Sequence, residues 1–108
     1  SATSPLLDAP VHPRASIVAV GAYRASMAEL SPALVRACPT IVVDSLANAT
    51  HEAGDLLQAE VDFARVAELS QAAALPPGHP GAVLLKTVGH ALWDLAAAEL
   101  AWEQVRPG

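Results

Sequence analysis

Three short apolar runs constrain this chain more than any other feature: Ser16–Ala22 (S-I-V-A-V-G-A), Thr40–Asp44 (T-I-V-V-D) and Ala82–Thr87 (A-V-L-L-K-T). The first two read as strands buried on both faces, because apolar and β-branched residues follow one another without polar alternation. The third reads as a further strand. Helix signals lie between and after them. Ser31-Pro32 is an N-cap with proline at the first helical position, opening a brief helix to about Ala37 that Cys38-Pro39 stops. A second helix is expected from Ser45 to about Ala53, closed by Gly54 in a left-handed conformation. Glu60 to about Leu75 carries Phe63, Val66, Leu69, Ser70 and Ala73 on one side and predicts an amphipathic helix. Pro76 to Gly81 is a rigid loop, and a last helix runs from about His90 to Val105. Strands alternating with helices imply an α/β fold with parallel pairing and right-handed crossovers.

At 108 residues the chain holds one domain's worth of core. Hydrophobic residues at 53% and charged ones at 16% argue against disorder. No stretch approaches the ~20 apolar residues of a membrane span. The net charge is −5 and the six basic residues are scattered singly, so no basic patch is present to neutralise a nucleic acid. The lone Cys38 excludes an internal disulfide and a cysteine-based metal site. His12, His51, His79 and His90 fall in four separate segments, so no metal site is expected. His79 reads as a solvated loop residue. With no signal peptide at its start, the expected compartment is the cytoplasm.

In parallel sheets, ligands sit beyond the carboxyl ends of the strands. Here those ends carry Gly21-Ala22-Tyr23, Asp44-Ser45 and Thr87-Val88-Gly89. G-x-S-x-G, P-loop, H-E-x-x-H and G-x-G-x-x-G motifs are all absent from the sequence. Gly21 and Gly89 serve either as simple turn glycines or as places where backbone approaches a flat ligand.

The succession V-x-A-V-G-A-Y-R, x-x-M-x-E-L, V-V-D-S, E-A-G-D-L and L-x-K-T-V-G-x-A-x-x-D-x-A-A-A resembles the C-terminal part of the ornithine cyclodeaminase/μ-crystallin family, in order through nearly the whole chain. The resemblance implies the second half of a Rossmann-type NAD(P)-binding domain over residues 1–89. It also implies a C-terminal helix, 90–108, that packs on a separate N-terminal domain. The opening Ser1-Ala2-Thr3-Ser4 without a starting Met fits a piece of a longer protein. The glycine fingerprint, the acidic ribose ligand and the substrate-binding Lys and Arg would then lie outside it. The apolar last helix, relieved mainly by Asp94, Glu99 and Glu103, expects such a covering partner.

Carried over by position, Thr3 and the backbone of Ala19, Val20, Gly21 and Ala22 would border the nicotinamide and its ribose. Thr87 matches a Ser/Thr whose hydroxyl approaches the nicotinamide end, and Val88 would face substrate. Tyr23 stands where ornithine cyclodeaminases place an Asp that handles a substrate proton. A phenol of pKa ~10 is a poor base at neutral pH. Met27 likewise replaces a Lys that some members hold near the cofactor. The resemblance therefore implies an NAD- or NADP-dependent oxidoreductase, a ketimine reductase or amino-acid dehydrogenase, with a small imine or amino acid as substrate and a homodimer as assembly. Three alternatives stay open: a true ornithine cyclodeaminase, a non-catalytic binder of NADPH and small ligands, and a free-standing interaction module.

Overall fold

The computed structural model describes residues 3–72, 81–89 and 91–107. Four parallel strands form one sheet: β1 (Ser16–Ala19), β2 (Thr40–Val43), β3 (Ala67–Glu68) and β4 (Val83–Lys86), in the spatial order β1-β4-β2-β3. The last strand is inserted between the first two. Its Lys86 stands opposite Ala19 of β1 on one side and Val43 of β2 on the other. All three expected strands are thus parallel, and their carboxyl ends share one edge.

The helices are α1 (Pro32–Ala37), α2 (Leu46–Glu52), α3 (Gly54–Gln58), α4 (Leu69–Ala72) and α5 (Ala91–Val105). The two predicted caps form as their residue types require. Ser31 Oγ accepts the Leu34 N–H at 3.2 Å, and Ser45 Oγ accepts the Asn48 N–H at 3.3 Å. The core gathers Leu34, Val35, Val43, Leu56 and Leu84, all buried, between the sheet and α1 to α3.

Several sequence-based expectations are corrected. β1 is an edge strand, not one buried on both faces: Val18 is 63% exposed. Gly54 does not close α2 in a left-handed conformation but opens α3 directly after the Ala53 cap. Its role is close approach, since a Cβ there would lie 1.9 Å from the Met27 carbonyl oxygen and 2.4 Å from that of Arg24. The helix expected from Glu60 breaks up. Glu60 takes a positive φ of 55°, and Asp62 caps a single 3₁₀ turn, Phe63–Arg65, by accepting the Ala64 N–H at 3.0 Å. Ala67 and Glu68 then pair with Val42 and Val43. A short acidic side chain that bonds its own backbone competes with helix, and the open edge of β2 offers Ala67–Glu68 a ladder instead.

The strands also end one to three residues early. Gly21, Ala22 and Asp44 lie past the ladder, where the two backbone N–H groups and the Asp44 carboxylate take other partners, described below. The loop Pro76–Pro80, with His79, lies outside the described residues, as does His90 at the expected start of the last helix. α5 has no buried residue; Trp93, Leu95, Leu100 and Trp102 all stand exposed along it.

Candidate functional site

The carboxyl edge brings together most of the residues singled out in the sequence. Ala19 ends β1, and its carbonyl accepts the Thr87 N–H at 3.0 Å, so the turns that follow β1 and β4 begin side by side. Beyond Ala19, Val20 is 63% exposed, Gly21 is half-buried and Ala22 is buried. Thr87 and Val88 are half-buried, and Gly89, with φ +90°, is exposed. Tyr23 is 44% exposed, with the Arg24 guanidinium carbon 5.6 Å from its ring centroid. Thr3 is exposed in the opening bend. The segment after it is tied to the same region, because Leu6 and Leu7 donate their N–H groups to the Glu29 carbonyl at 2.7 and 2.9 Å.

Two carboxylates organise this edge. Glu29 Oε1 accepts the N–H groups of Gly21 and Ala22, the latter at 3.1 Å. Asp44, at the end of β2, accepts from Ser45 N at 3.0 Å, Val88 N at 3.2 Å and Gly89 N at 3.1 Å. Each carboxylate closes a strand-to-turn junction that the ladder leaves open, and charge makes these bonds stronger than neutral ones. A hollow of about 440 Å³ opens beside them, between Asp44, Glu68, Leu69 and Trp93. A second hollow, of about 360 Å³, lies by Pro39 and Ile41 at the opposite end of β2, away from the edge where parallel sheets take ligands.

Beneath the edge lies a fully buried ion pair. Lys86 Nζ stands 3.6 Å from Asp55 Oδ2, and both side chains are inaccessible to solvent. Burial pushes the Lys86 ammonium below the ordinary lysine value of 10.5, with the Asp55 charge opposing that shift. Lys86, Asp55 and Glu29 went unassigned in the sequence and Asp44 was placed only at the carboxyl edge, although each lies inside one of the quoted motifs. One signal was present: a lysine within a strand as apolar as A-V-L-L-K-T has to be buried with a counter-charge.

These turns have already given the N–H groups of Gly21, Ala22, Val88 and Gly89 to carboxylates, and Val20 stands exposed beside them. They are not the amide cradle that a pyrophosphate needs. Among the described residues nothing lies within 4 Å of where a Cβ would stand on Gly89.

The chain is 47% identical over 85 residues to a Δ1-pyrroline-2-carboxylate reductase of Burkholderia ambifaria, and 46% identical to a Δ1-pyrroline-2-carboxylate/Δ1-piperideine-2-carboxylate reductase of Azospirillum brasilense. Both matches span 79% of this chain and 27% of the relative. It is 37% identical over 110 residues to the ketimine reductase μ-crystallin of Mus musculus, across 99% of the chain and 34% of that protein. The crystal structure of a probable ornithine cyclodeaminase from Bordetella pertussis superposes with a TM-score of 0.73 at 29% identity, over 91% of this chain and 35% of that one. The chain belongs to the ornithine cyclodeaminase/μ-crystallin family. No protein-family model matches it. It spans about a quarter to a third of the length of these family members. The family resemblance and the Rossmann-like α/β architecture expected from the sequence both hold.

Proposed function

We propose that these residues form the nicotinamide-side edge of the cofactor domain in an NAD(P)-dependent reductase of cyclic ketimines. One observation carries the reading furthest: Glu29 and Asp44 consume the turn N–H groups, leaving an edge fit for a flat, uncharged ring rather than for phosphate. Similarity to reductases of pyrroline- and piperideine-2-carboxylate supports a planar C=N compound bearing a carboxylate as substrate. Thr3, the backbone of Ala19 to Ala22, and Thr87 would hold the nicotinamide and its ribose. Val88 would meet the substrate, and Tyr23 would shape its pocket. The bound nicotinamide supplies the hydride; the chain's own part is to fix the ring and exclude water around it.

The exposed apolar α5 supports packing against a domain outside residues 1–89, in a homodimer. Among the described residues no helix is long and apolar enough to cross a membrane.

The test uses the full-length protein that carries these residues, mixed with Δ1-piperideine-2-carboxylate and NADH or NADPH. Steady loss of the reduced-nicotinamide absorbance is expected. Saturable binding without that loss would mark a binder, and ammonia release from ornithine would mark a cyclodeaminase; either result overturns the proposal.

A further inference from the structure

Charged residues from three separate elements form one closed circuit around the turn that follows β1. Lys86 Nζ donates to the Ala19 carbonyl at 3.3 Å and pairs with Asp55 Oδ2. Asp55 Oδ1 accepts the N–H groups of Glu29 at 2.6 Å and Leu30 at 2.9 Å. The Glu29 carboxylate in turn accepts the N–H groups of Gly21 and Ala22. The circuit therefore leaves the chain at Ala19 and returns to it at Gly21 and Ala22. Only Val20 stands between, exposed on the carboxyl edge.

A buried ion pair is a weak source of stability, because desolvating two charges offsets most of their attraction and an apolar pair of equal volume does as well. What an apolar pair cannot do is direct hydrogen bonds. Asp55 Oδ2 makes no hydrogen bond among the described residues, and the Lys86 charge is what faces it. The remaining oxygen is thereby held toward the Glu29 and Leu30 amides. Gly54, pressed against the Met27 and Arg24 carbonyls, seats Asp55 against the same loop. The glycine and aspartate of E-A-G-D-L, the glutamate of M-A-E-L and the lysine of L-K-T-V-G thus serve one purpose.

We propose that Lys86 and Asp55 are positioning residues that act through Glu29 to fix the Ala19–Ala22 turn, and with it the seat of the nicotinamide. That the turn faces a nicotinamide rests on the proposed function; that the circuit fixes the turn does not. A ring presented for hydride transfer has to be held within about 0.5 Å of its productive place, which a turn free at either end does not provide.

The test compares the full-length wild type with Lys86→Met/Asp55→Asn, with Glu29→Gln, and with all three changes together. The paired variant leaves no buried charge and keeps an acceptor for the Glu29 and Leu30 amides. Amide exchange of Gly21 and Ala22 is expected to accelerate about tenfold in the paired variant, as it does on loss of a charge-assisted hydrogen bond, with the melting temperature little changed. KM for the reduced cofactor should rise about tenfold with kcat less affected. Adding Glu29→Gln should bring little further change, because both alterations break one circuit. Unchanged exchange in the folded paired variant, or fully additive effects, would overturn the proposal. Should that variant not fold, Asp55→Asn alone removes only the charge facing Lys86 and has to show the same local acceleration. Exchange requires no substrate. A wild type that reduces no imine would therefore overturn the functional reading while the exchange data still decide the circuit.

Discussion

Asp44 reaches across the carboxyl edge of the sheet to Gly89, 45 residues away, and accepts its N–H on Oδ2 at 3.1 Å. The same carboxylate takes the N–H groups of Val88 and Ser45, so one side chain joins the ends of β4 and β2. The turn after β4 is built by this contact as much as by its glycine.

Asp44→Ala should therefore destabilise the protein by about 1.5–3 kcal/mol, the range for losing hydrogen bonds to a charged group with partly buried donors left behind. Asp44→Asn, which keeps one acceptor, should cost less. Urea unfolding of both variants checks the order, and equal midpoints for Asp44→Ala and wild type would contradict it.

Two glycines should respond to alanine for different reasons. At Gly54 the new Cβ would meet backbone carbonyl oxygens of Met27 and Arg24, which cannot turn away, so a loss of about 3 kcal/mol or more is expected. At Gly89 no described residue stands in the way, and φ +90° opposes a side chain, for about 1–2 kcal/mol. Denaturation midpoints in which Gly89→Ala is the worse of the two would reverse this assignment.

Stability in alkaline solution should carry two opposing slopes. Burial lowers the Lys86 value below 10.5, so the unfolded chain holds more protons between the lowered value and 10.5. From this group stability rises with pH through that window. Burial raises the Cys38 thiol above 9.0, so the unfolded chain loses its proton first and stability falls as pH climbs past 9.0. In Cys38→Ala the rise from Lys86 should stand alone, and Lys86→Met/Asp55→Asn should remove it. Chemical denaturation at a series of alkaline pH values reads both slopes.

Tyr23 sits half-exposed beside the Arg24 guanidinium, on a turn whose neighbouring N–H groups are already satisfied. A phenol O–H there suits one hydrogen bond to substrate better than proton abstraction. Tyr23→Phe in the full-length protein should reduce kcat/KM by about tenfold at most. A thousandfold loss in steady-state kinetics would instead make Tyr23 a working acid or base.

Local patterns alone determined a good part of this protein. The apolar runs at Ile17, Ile41 and Leu84 marked three parallel strands. Ser31 and Ser45 marked helix starts, and the carboxyl edge followed from the alternation of strand and helix. These are legible because each depends on residues within a few positions of one another. Tertiary structure decided the rest. It turned the first half of the helix expected from Glu60 to about Leu75 into a 3₁₀ turn and a strand, since the bare edge of β2 could pair with Ala67–Glu68. It placed β4 between β1 and β2, which put Lys86 in the middle of the sheet. That position in turn set the partners of Lys86, Asp55, Glu29 and Asp44. The Lys86 bond to Ala19 spans 67 residues and the Asp55 bond to Glu29 spans 26, so no window along the chain contains both ends. The need of a buried charge for a counter-charge can be read from sequence; which charge answers it depends on how the strands are ordered.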